Sequence, residues 1–194
     1  MTTRGTIADA DGEIAALVYS GRDRPDLILC AFAKILAHAG RRVCGLVQLR
    51  DRSRDRWPCK VMVLDTWQMV DVSRPRDAAE DIHCRLDARW LDRMGVKATA
   101  SIRHGVDAVI VNRFGPLEVA GRGFRNAIQA ASETETPLVI AVPEFEFERW
   151  TRFSGGMGIR LDCTLDSIPG WWHRFSNHNP PAVAFDPRAC ELLK

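Results

Sequence analysis

The chain has 194 residues, which is enough for one domain with a sizeable core and no disulfide or structural metal. Its 27 basic and 25 acidic side chains nearly balance, and a net charge of +2 argues against a nucleic-acid-binding or membrane-surface protein. Residues 1–13 are polar and acidic, unlike a signal peptide, and no stretch has the roughly 18 apolar residues of a membrane helix. We therefore expect a soluble cytoplasmic protein with reduced cysteines.

The first quarter of the chain predicts a βαβ unit. Ile14–Tyr19 is a continuous apolar run, as expected of a strand buried on both faces, and Val43–Leu49 is a second such run. A turn at 20–25 leads into a helix that ends at Gly40, with Asp23 or Asp26 as its expected cap. Two strands joined by a helix favour a parallel sheet.

The rest of the chain extends this α/β pattern. An antiparallel hairpin is predicted over 59–72, a helix over 87–104, buried strands over 107–112 and 137–142, and helices over 122–134 and 143–153. A short edge strand at 159–162 and a last helical turn at 168–175 follow. We expect one domain over residues 1–176 and an irregular, proline-containing tail over 177–194.

Ligands of open parallel sheets bind beyond the carboxyl ends of the strands. The turn after the first strand enters a helix, whose free N–H groups and dipole favour an anion. A working phosphate loop has the pattern G-x-x-x-x-G-K-[ST], and aligning it from Gly21 puts Leu27 at the lysine and Ile28 at the hydroxyl. Leucine cannot neutralise phosphate charge, and isoleucine cannot hold Mg²⁺. The alternative to a phosphate-binding turn is an ordinary connection between a strand and a helix.

Residues 107–118 (DAVIVNRFGPLE) resemble the metal-and-water strand of the small nucleoside-triphosphatase family related to the thermophilic enzyme. In that family an apolar strand ends in Asp-Glu-Ile-Gly-Pro-Met-Glu. The resemblance reaches from about residue 14 to 142 and implies a three-layer P-loop-NTPase-like parallel sheet with an inserted antiparallel hairpin. Asn112 replaces the aspartate that supports Mg²⁺, and Arg113 replaces the glutamate that positions water. Standard Mg-dependent hydrolysis is therefore not expected.

Further motifs resemble a bacterial domain family of unknown function that is often encoded beside molybdate ABC transporters. They are GLVQ at 45–48, CRLD at 84–87, the Asn-Arg-Phe-Gly-x-Leu-Glu segment at 112–118 and GRG at 121–123. This resemblance covers most of the chain. It implies an association with molybdenum uptake or cofactor supply, and it supplies no proven activity.

These features together predict a pocket for a tetrahedral oxyanion, in which arginine supplies charge and glycine permits close backbone approach. The candidate ligand-binding residues are Ser20, Gly21, Arg22, Gln48, Asn112, Arg113, Phe114, Glu118, Gly121 and Arg122. A surface ion-pair network with ordinary helix capping is the alternative. Cys59 and Cys84 are candidate metal ligands through sulfur, although two small buried residues are the more ordinary interpretation.

Three hypotheses of function follow. The first is an accessory protein with a degenerate P-loop-like site for molybdate, a phosphate-like oxyanion or a nucleotide. The second is a divergent nucleotide hydrolase or transferase with Glu118 or Asp23 as its base, and the third is a scaffold that recruits a partner through Trp171 and Trp172. The sequence identifies no cofactor or catalytic residue, although molybdate and a nucleotide are candidate ligands. We expect a small anionic ligand, no nucleic acid and no membrane, and leave a homo-oligomer open.

Overall fold

The computed structural model describes residues 13–49, 60–72 and 87–175. The elements, in chain order, are β1 (Ile14–Tyr19), α1 (Pro25–His38), β2 (Val43–Leu49), β3 (Lys60–Val63), β4 (Gln68–Asp71), α2 (Ala88–Arg103), β5 (Ala108–Val111), α3 (Pro116–Val119), α4 (Arg125–Glu133), β6 (Leu138–Pro143), α5 (Phe147–Phe153), β7 (Ile159–Asp162) and α6 (Ser167–Trp172). A single 3₁₀ turn, Glu144–Glu146, joins β6 to α5. The predicted tail at 177–194 lies outside the described residues.

The strands form one seven-stranded sheet in the order β4-β3-β2-β5-β6-β1-β7. The neighbours from β2 through β5, β6 and β1 to β7 are all parallel. The antiparallel hairpin of β3 and β4 adds to the outer side of β2. The prediction of a mostly parallel α/β sheet with an inserted hairpin is thus confirmed, while its assignment to the P-loop type stays a prediction.

Helices cover both faces of the sheet because the central strands are apolar on both sides. Ala15 and Leu17 of β1 face the core that contains α1 and α6. Ala16 and Val18, which alternate with them, face the core that contains α2, α4 and the Trp150 side chain of α5. The result is a three-layer arrangement in which α1 and α5 lie on opposite faces.

The starts of the helices follow the predictions unevenly. The helix predicted over 87–104 is observed as α2, with Asp87 as its N-cap, and the Asp87 carboxylate accepts the backbone N–H of Arg89 at 2.8 Å. The predicted cap of α1 is wrong, because Arg24 occupies the N-cap position and no side chain caps the helix. The helix predicted from 122 begins instead at Arg125, after a loop that requires left-handed backbone at Gly121 and Gly123.

The aromatic end of the described chain is part of the core. Trp171 and Trp172 are only 2% and 5% exposed, and Trp172 meets the ring of Phe32 of α1 edge-on at 5.7 Å. The third hypothesis is therefore wrong in its proposed contact surface, since this pair is not available to a partner. No helix within the described ranges is long and apolar enough to cross a membrane.

Candidate functional site

The chain leaves β1 and β6 in opposite directions, although these strands are neighbours. From β1 it crosses through α1 to β2, and from β6 it crosses through α5 to β7 on the far side of β1. Tyr19 and Pro143, the last residues of the two strands, are register partners. A crevice beyond the carboxyl ends of two such strands is the usual ligand position in an open α/β sheet.

Arg113 lies at this edge of the sheet. Its guanidinium carbon is 5.7 Å from the centroid of the Tyr19 ring, a distance at which a cation is attracted to an aromatic face. The side chain is exposed, and it forms no ion pair with any residue that the structure describes. The contact with Tyr19 therefore holds a positive group at the crevice, and no carboxylate of the described residues pairs with its N–H donors.

The turn after β1 is closed by its own side chains. The Asp23 carboxylate accepts the backbone N–H of Ser20 at 2.7 Å, and the Ser20 hydroxyl accepts the N–H of Arg22 at 3.4 Å. The hydrogen bond from the Ser20 backbone lowers the pKa of Asp23, so this carboxyl is ionised near neutral pH. Ser20 thus has a structural role in the turn, while Gly21 and Arg22 are exposed at the edge.

The first turn of α1 carries an internal ion pair. Arg24 donates two hydrogen bonds to the buried Asp26 carboxylate, at 3.0 and 2.9 Å. Asp26 thus occupies the first helical turn, where negative charge is favoured. Leu27 and Ile28 pack toward the core on the α1 side, so no ammonium or hydroxyl stands where a phosphate loop needs one.

The loop after β5 is organised around Glu118. This side chain is 5% exposed, and its two carboxylate oxygens accept the backbone N–H groups of Gly115 at 3.0 Å and Phe124 at 3.2 Å. Burial raises the pKa of Glu118. The carboxylate is therefore committed to the loop backbone. It is not placed as a base or as a ligand-orienting group, which corrects two predictions.

Phe114 and Arg122 both contact other parts of the fold through their side chains. Phe114 is 1% exposed and packs edge-on against Trp150, with the ring centroids 5.2 Å apart. Arg122 forms an ion pair with Asp92 of α2 at 2.7 Å. The same carboxylate accepts the N–H of Gly123 at 2.8 Å, and this bond is the main cause of the lowered pKa of Asp92. Burial thus corrects the predicted place of Phe114 at a ligand. The ion-pair alternative describes the Arg122–Asp92 contact, and a role of Arg122 at a ligand stays a prediction.

The remaining predicted residues are spread along the same edge. Asn112 follows β5 and is 9% exposed, and its Oδ1 atom has no hydrogen-bond partner in the described part of the chain. Gln48 is half-buried near the end of β2, which β5 and β6 separate from β1. Gly121 is exposed, next to the Arg122–Asp92 pair.

A cluster of metal ligands is not found within the described ranges, which contain no group of three or more His, Cys, Asp or Glu side chains suited to a metal. Cys59 and Cys84 lie outside the described residues, so their predicted metal role stays a prediction. Cys30 and Cys44 are buried in the core.

One residue at the crevice was missed by the sequence analysis. Phe145, in the turn directly after β6, is 86% exposed. The sequence does contain a feature that points to Phe145. It lies two residues after a buried strand, between Glu144 and Glu146, where the core does not require an apolar side chain.

Comparison with known proteins identifies the family. Residues 14–171 match the family described as "Protein of unknown function (DUF2478)". The chain belongs to this family. Within the chain, the DUF2478 region spans the sheet from the first residue of β1 to Trp171 of α6. No solved structure matches the chain.

A relative with a descriptive name adds a second finding. The DUF2478 chain is 34% identical over 166 residues to "Molybdenum import ATP-binding protein ModC 2" of Bradyrhizobium diazoefficiens. The match covers 84% of this chain but only 18% of that protein. The similarity is thus to one part of a much longer protein.

Proposed function

We propose that this DUF2478 domain is an accessory binding domain that holds an anionic ligand at the crevice between β1 and β6. The observation that carries the proposal is Arg113, a guanidinium held 5.7 Å from the Tyr19 ring at the carboxyl edge of the sheet. A guanidinium group presents several N–H donors in a plane and binds carboxylate, phosphate and similar oxyanions through paired hydrogen bonds. Arg22, exposed in the turn after β1, adds a second cation at this edge.

The surrounding charges favour binding through arginine rather than through the helix terminus alone. Asp26 is neutralised by Arg24 at 2.9 Å, so it contributes little net charge at the start of α1. Asp23 is ionised and bonded to the Ser20 backbone, and it limits how closely an anion approaches that turn. The ligand is therefore expected on the Arg113 side of the crevice.

The same residues argue against Mg-dependent hydrolysis. Leu27 and Ile28 supply neither phosphate charge nor a metal-binding hydroxyl, and Asn112 is a neutral amide where a hydrolase keeps an aspartate. A general base needs a pKa near the working pH, and the pKa of Asp23 is lowered. The pKa of Glu118 is raised, but both of its buried carboxylate oxygens accept backbone N–H groups of the loop, so this side chain is not directed at a ligand. We infer that the domain binds its ligand without turning it over.

The similar protein from Bradyrhizobium diazoefficiens suggests the process in which the domain acts. Its name describes a molybdenum import ATP-binding protein, and 34% identity over 166 residues supports a shared role for the matched segment. We propose that the ligand is molybdate, a phosphate-like oxyanion or a nucleotide, and that the domain acts in molybdenum uptake or in supply of the cofactor.

Titration calorimetry tests this function. The protein is titrated with molybdate, tungstate, inorganic phosphate and ATP, with and without Mg²⁺. For the anion that binds, we expect Arg113→Ala to raise Kd about tenfold or more, because charge-assisted hydrogen bonds contribute roughly 1.5–3 kcal/mol. Arg103→Ala is the matched control, since Arg103 is an exposed arginine at the end of α2, on the opposite edge of the sheet.

The outcomes separate binding from catalysis. Unchanged binding in the control, weakened binding in Arg113→Ala and no phosphate release from ATP would agree with the proposal. Absence of binding by all four anions, or equal weakening by both substitutions, would reject a site at Arg113. Turnover of ATP that depends on Mg²⁺ would reject the non-catalytic interpretation.

A further inference from the structure

Phe145 is the most exposed of the large apolar side chains in the described part of the chain, at 86%. It lies in the 3₁₀ turn that follows β6, at the crevice where the connections of β1 and β6 diverge. An isolated exposed apolar residue needs no explanation on its own. A highly exposed aromatic ring beside a ligand crevice is a different case, because a bound ligand can contact it there.

The residues on both sides of Phe145 are held in place. The Glu144 carboxylate lies 3.8 Å from the guanidinium of Arg160 on β7, and the same guanidinium stacks over the ring of Phe147 at 4.7 Å. Glu146 pairs with Arg149 at 3.1 Å. These ion pairs hold the 3₁₀ turn against β7 and α5, while the Phe145 ring between them is exposed to solvent.

Strand register links this ring to Arg113. Tyr19, whose ring carries the Arg113 guanidinium, is paired with Pro143 across β1 and β6. Neighbouring strands are about 4.8 Å apart, and two residues of chain span at most about 7 Å, so Phe145 and Tyr19 belong to one rim of the crevice. A cationic group and an aromatic face therefore share this rim.

We propose that Phe145 is a stacking platform for a nucleobase, and that the ligand of the crevice is a nucleotide whose phosphates meet Arg113. This inference rests on the proposed function and narrows its ligand class. Every base has a π face that stacks on an aromatic side chain, whereas a bare oxyanion gains nothing from such a ring.

The experiment compares a ligand that has a base with one that lacks it. Calorimetric titrations with ATP and with inorganic tripolyphosphate are made on the intact chain and on Phe145→Ala, Phe145→Trp and Arg113→Ala. The matched control is Met157→Ala, because Met157 is also an exposed apolar residue, at 61%, but precedes β7 at the opposite edge of the sheet. Circular dichroism confirms that each variant is folded.

For Phe145→Ala we expect a rise in Kd for ATP of at least about fivefold, with no change for tripolyphosphate. Phe145→Trp retains ATP affinity, Met157→Ala changes neither ligand, and Arg113→Ala weakens both. An unchanged ATP affinity in Phe145→Ala, or equal weakening of both ligands, overturns the platform. Binding of tripolyphosphate but not ATP by the unaltered chain also overturns it while leaving the anion site intact. If the unaltered chain binds neither ATP nor tripolyphosphate, the stacking role of Phe145 is rejected. The anion site itself is rejected only if molybdate, tungstate and phosphate do not bind either.

Discussion

The carboxylate of Glu118 and the backbone N–H of Phe124 are joined by a buried hydrogen bond of 3.2 Å. The other carboxylate oxygen accepts the N–H of Gly115 at 3.0 Å, so one side chain closes the loop between β5 and α4. Gly123 packs against it with a left-handed φ of 58°, and a Cβ atom there would stand 2.5 Å from the carboxylate. The loop that carries Arg113 into α4 therefore depends on a buried acid.

This arrangement predicts a specific pH dependence of stability. Burial raises the pKa of Glu118 above its ordinary value of 4.5, so the folded protein holds this proton more tightly than the unfolded chain. As the pH rises from the unfolded pKa through the folded one, the folded state loses stability relative to a variant without this carboxyl. We expect the unfolding free energy of the wild type, minus that of Glu118→Gln, to fall as the pH rises from the ordinary value of 4.5 through the raised pKa of the folded state. Urea titrations at fixed ionic strength measure this difference.

Asp92→Asn is the control with the opposite sign. The N–H of Gly123 and the guanidinium of Arg122 lower the pKa of Asp92 below 3.8. The advantage of the wild type over this variant is therefore present above the unfolded pKa and is lost as the pH falls through the folded one. Two difference curves with the same slope would contradict the assignment of the Glu118 shift to burial.

Gly95 is predicted to resist replacement although it lies inside a helix. Alanine is the better helix former by about 1 kcal/mol, but a Cβ atom at Gly95 would collide with the backbone carbonyl of Gly123. We expect Gly95→Ala to lower the unfolding free energy by about 1–3 kcal/mol in urea denaturation, because neither backbone yields easily.

Gly170 of α6 provides the comparison for Gly95. A Cβ atom there meets nothing within 4 Å, so Gly170→Ala is expected to stabilise by about 0.5–1 kcal/mol. If both alanine variants are stabilised to the same extent, then α2 and the 121–124 loop do not approach each other as described.

The strands were the predictable part of this fold. The continuous apolar runs that became β1, β2 and β6 were located within one residue of their observed bounds, because a strand buried on both faces needs apolar side chains at every position. Helix starts were less predictable. The delayed start of α4 depends on Asp92, which lies on another helix some thirty positions earlier and bonds to Gly123.

The candidate site also has a part that could be predicted from the sequence and a part that could not. The position of Arg113 at the carboxyl edge follows from its place directly after a buried parallel strand, a local feature of the sequence. The burial of Phe114 against Trp150 and the pairing of Arg122 with Asp92 are long-range contacts, which local spacing does not reveal. The motif around Glu118 was similarly visible, but its role in bonding the loop backbone required the folded geometry.

Cys163, directly after β7, is predicted to be an unreactive thiol. Burial, together with the charges of Asp23 and Asp26, raises the pKa of Cys163 to about 12. Only the thiolate reacts readily with alkylating agents, and each unit of pKa reduces its fraction about tenfold. We expect iodoacetamide at pH 8 to modify Cys163 at least about 100-fold more slowly in the native protein than in urea. Peptide mass spectrometry over a time course measures both rates at this position, so the other cysteines do not interfere. Comparable rates in the two states would show that the β7 end opens readily, against its packing beside β1.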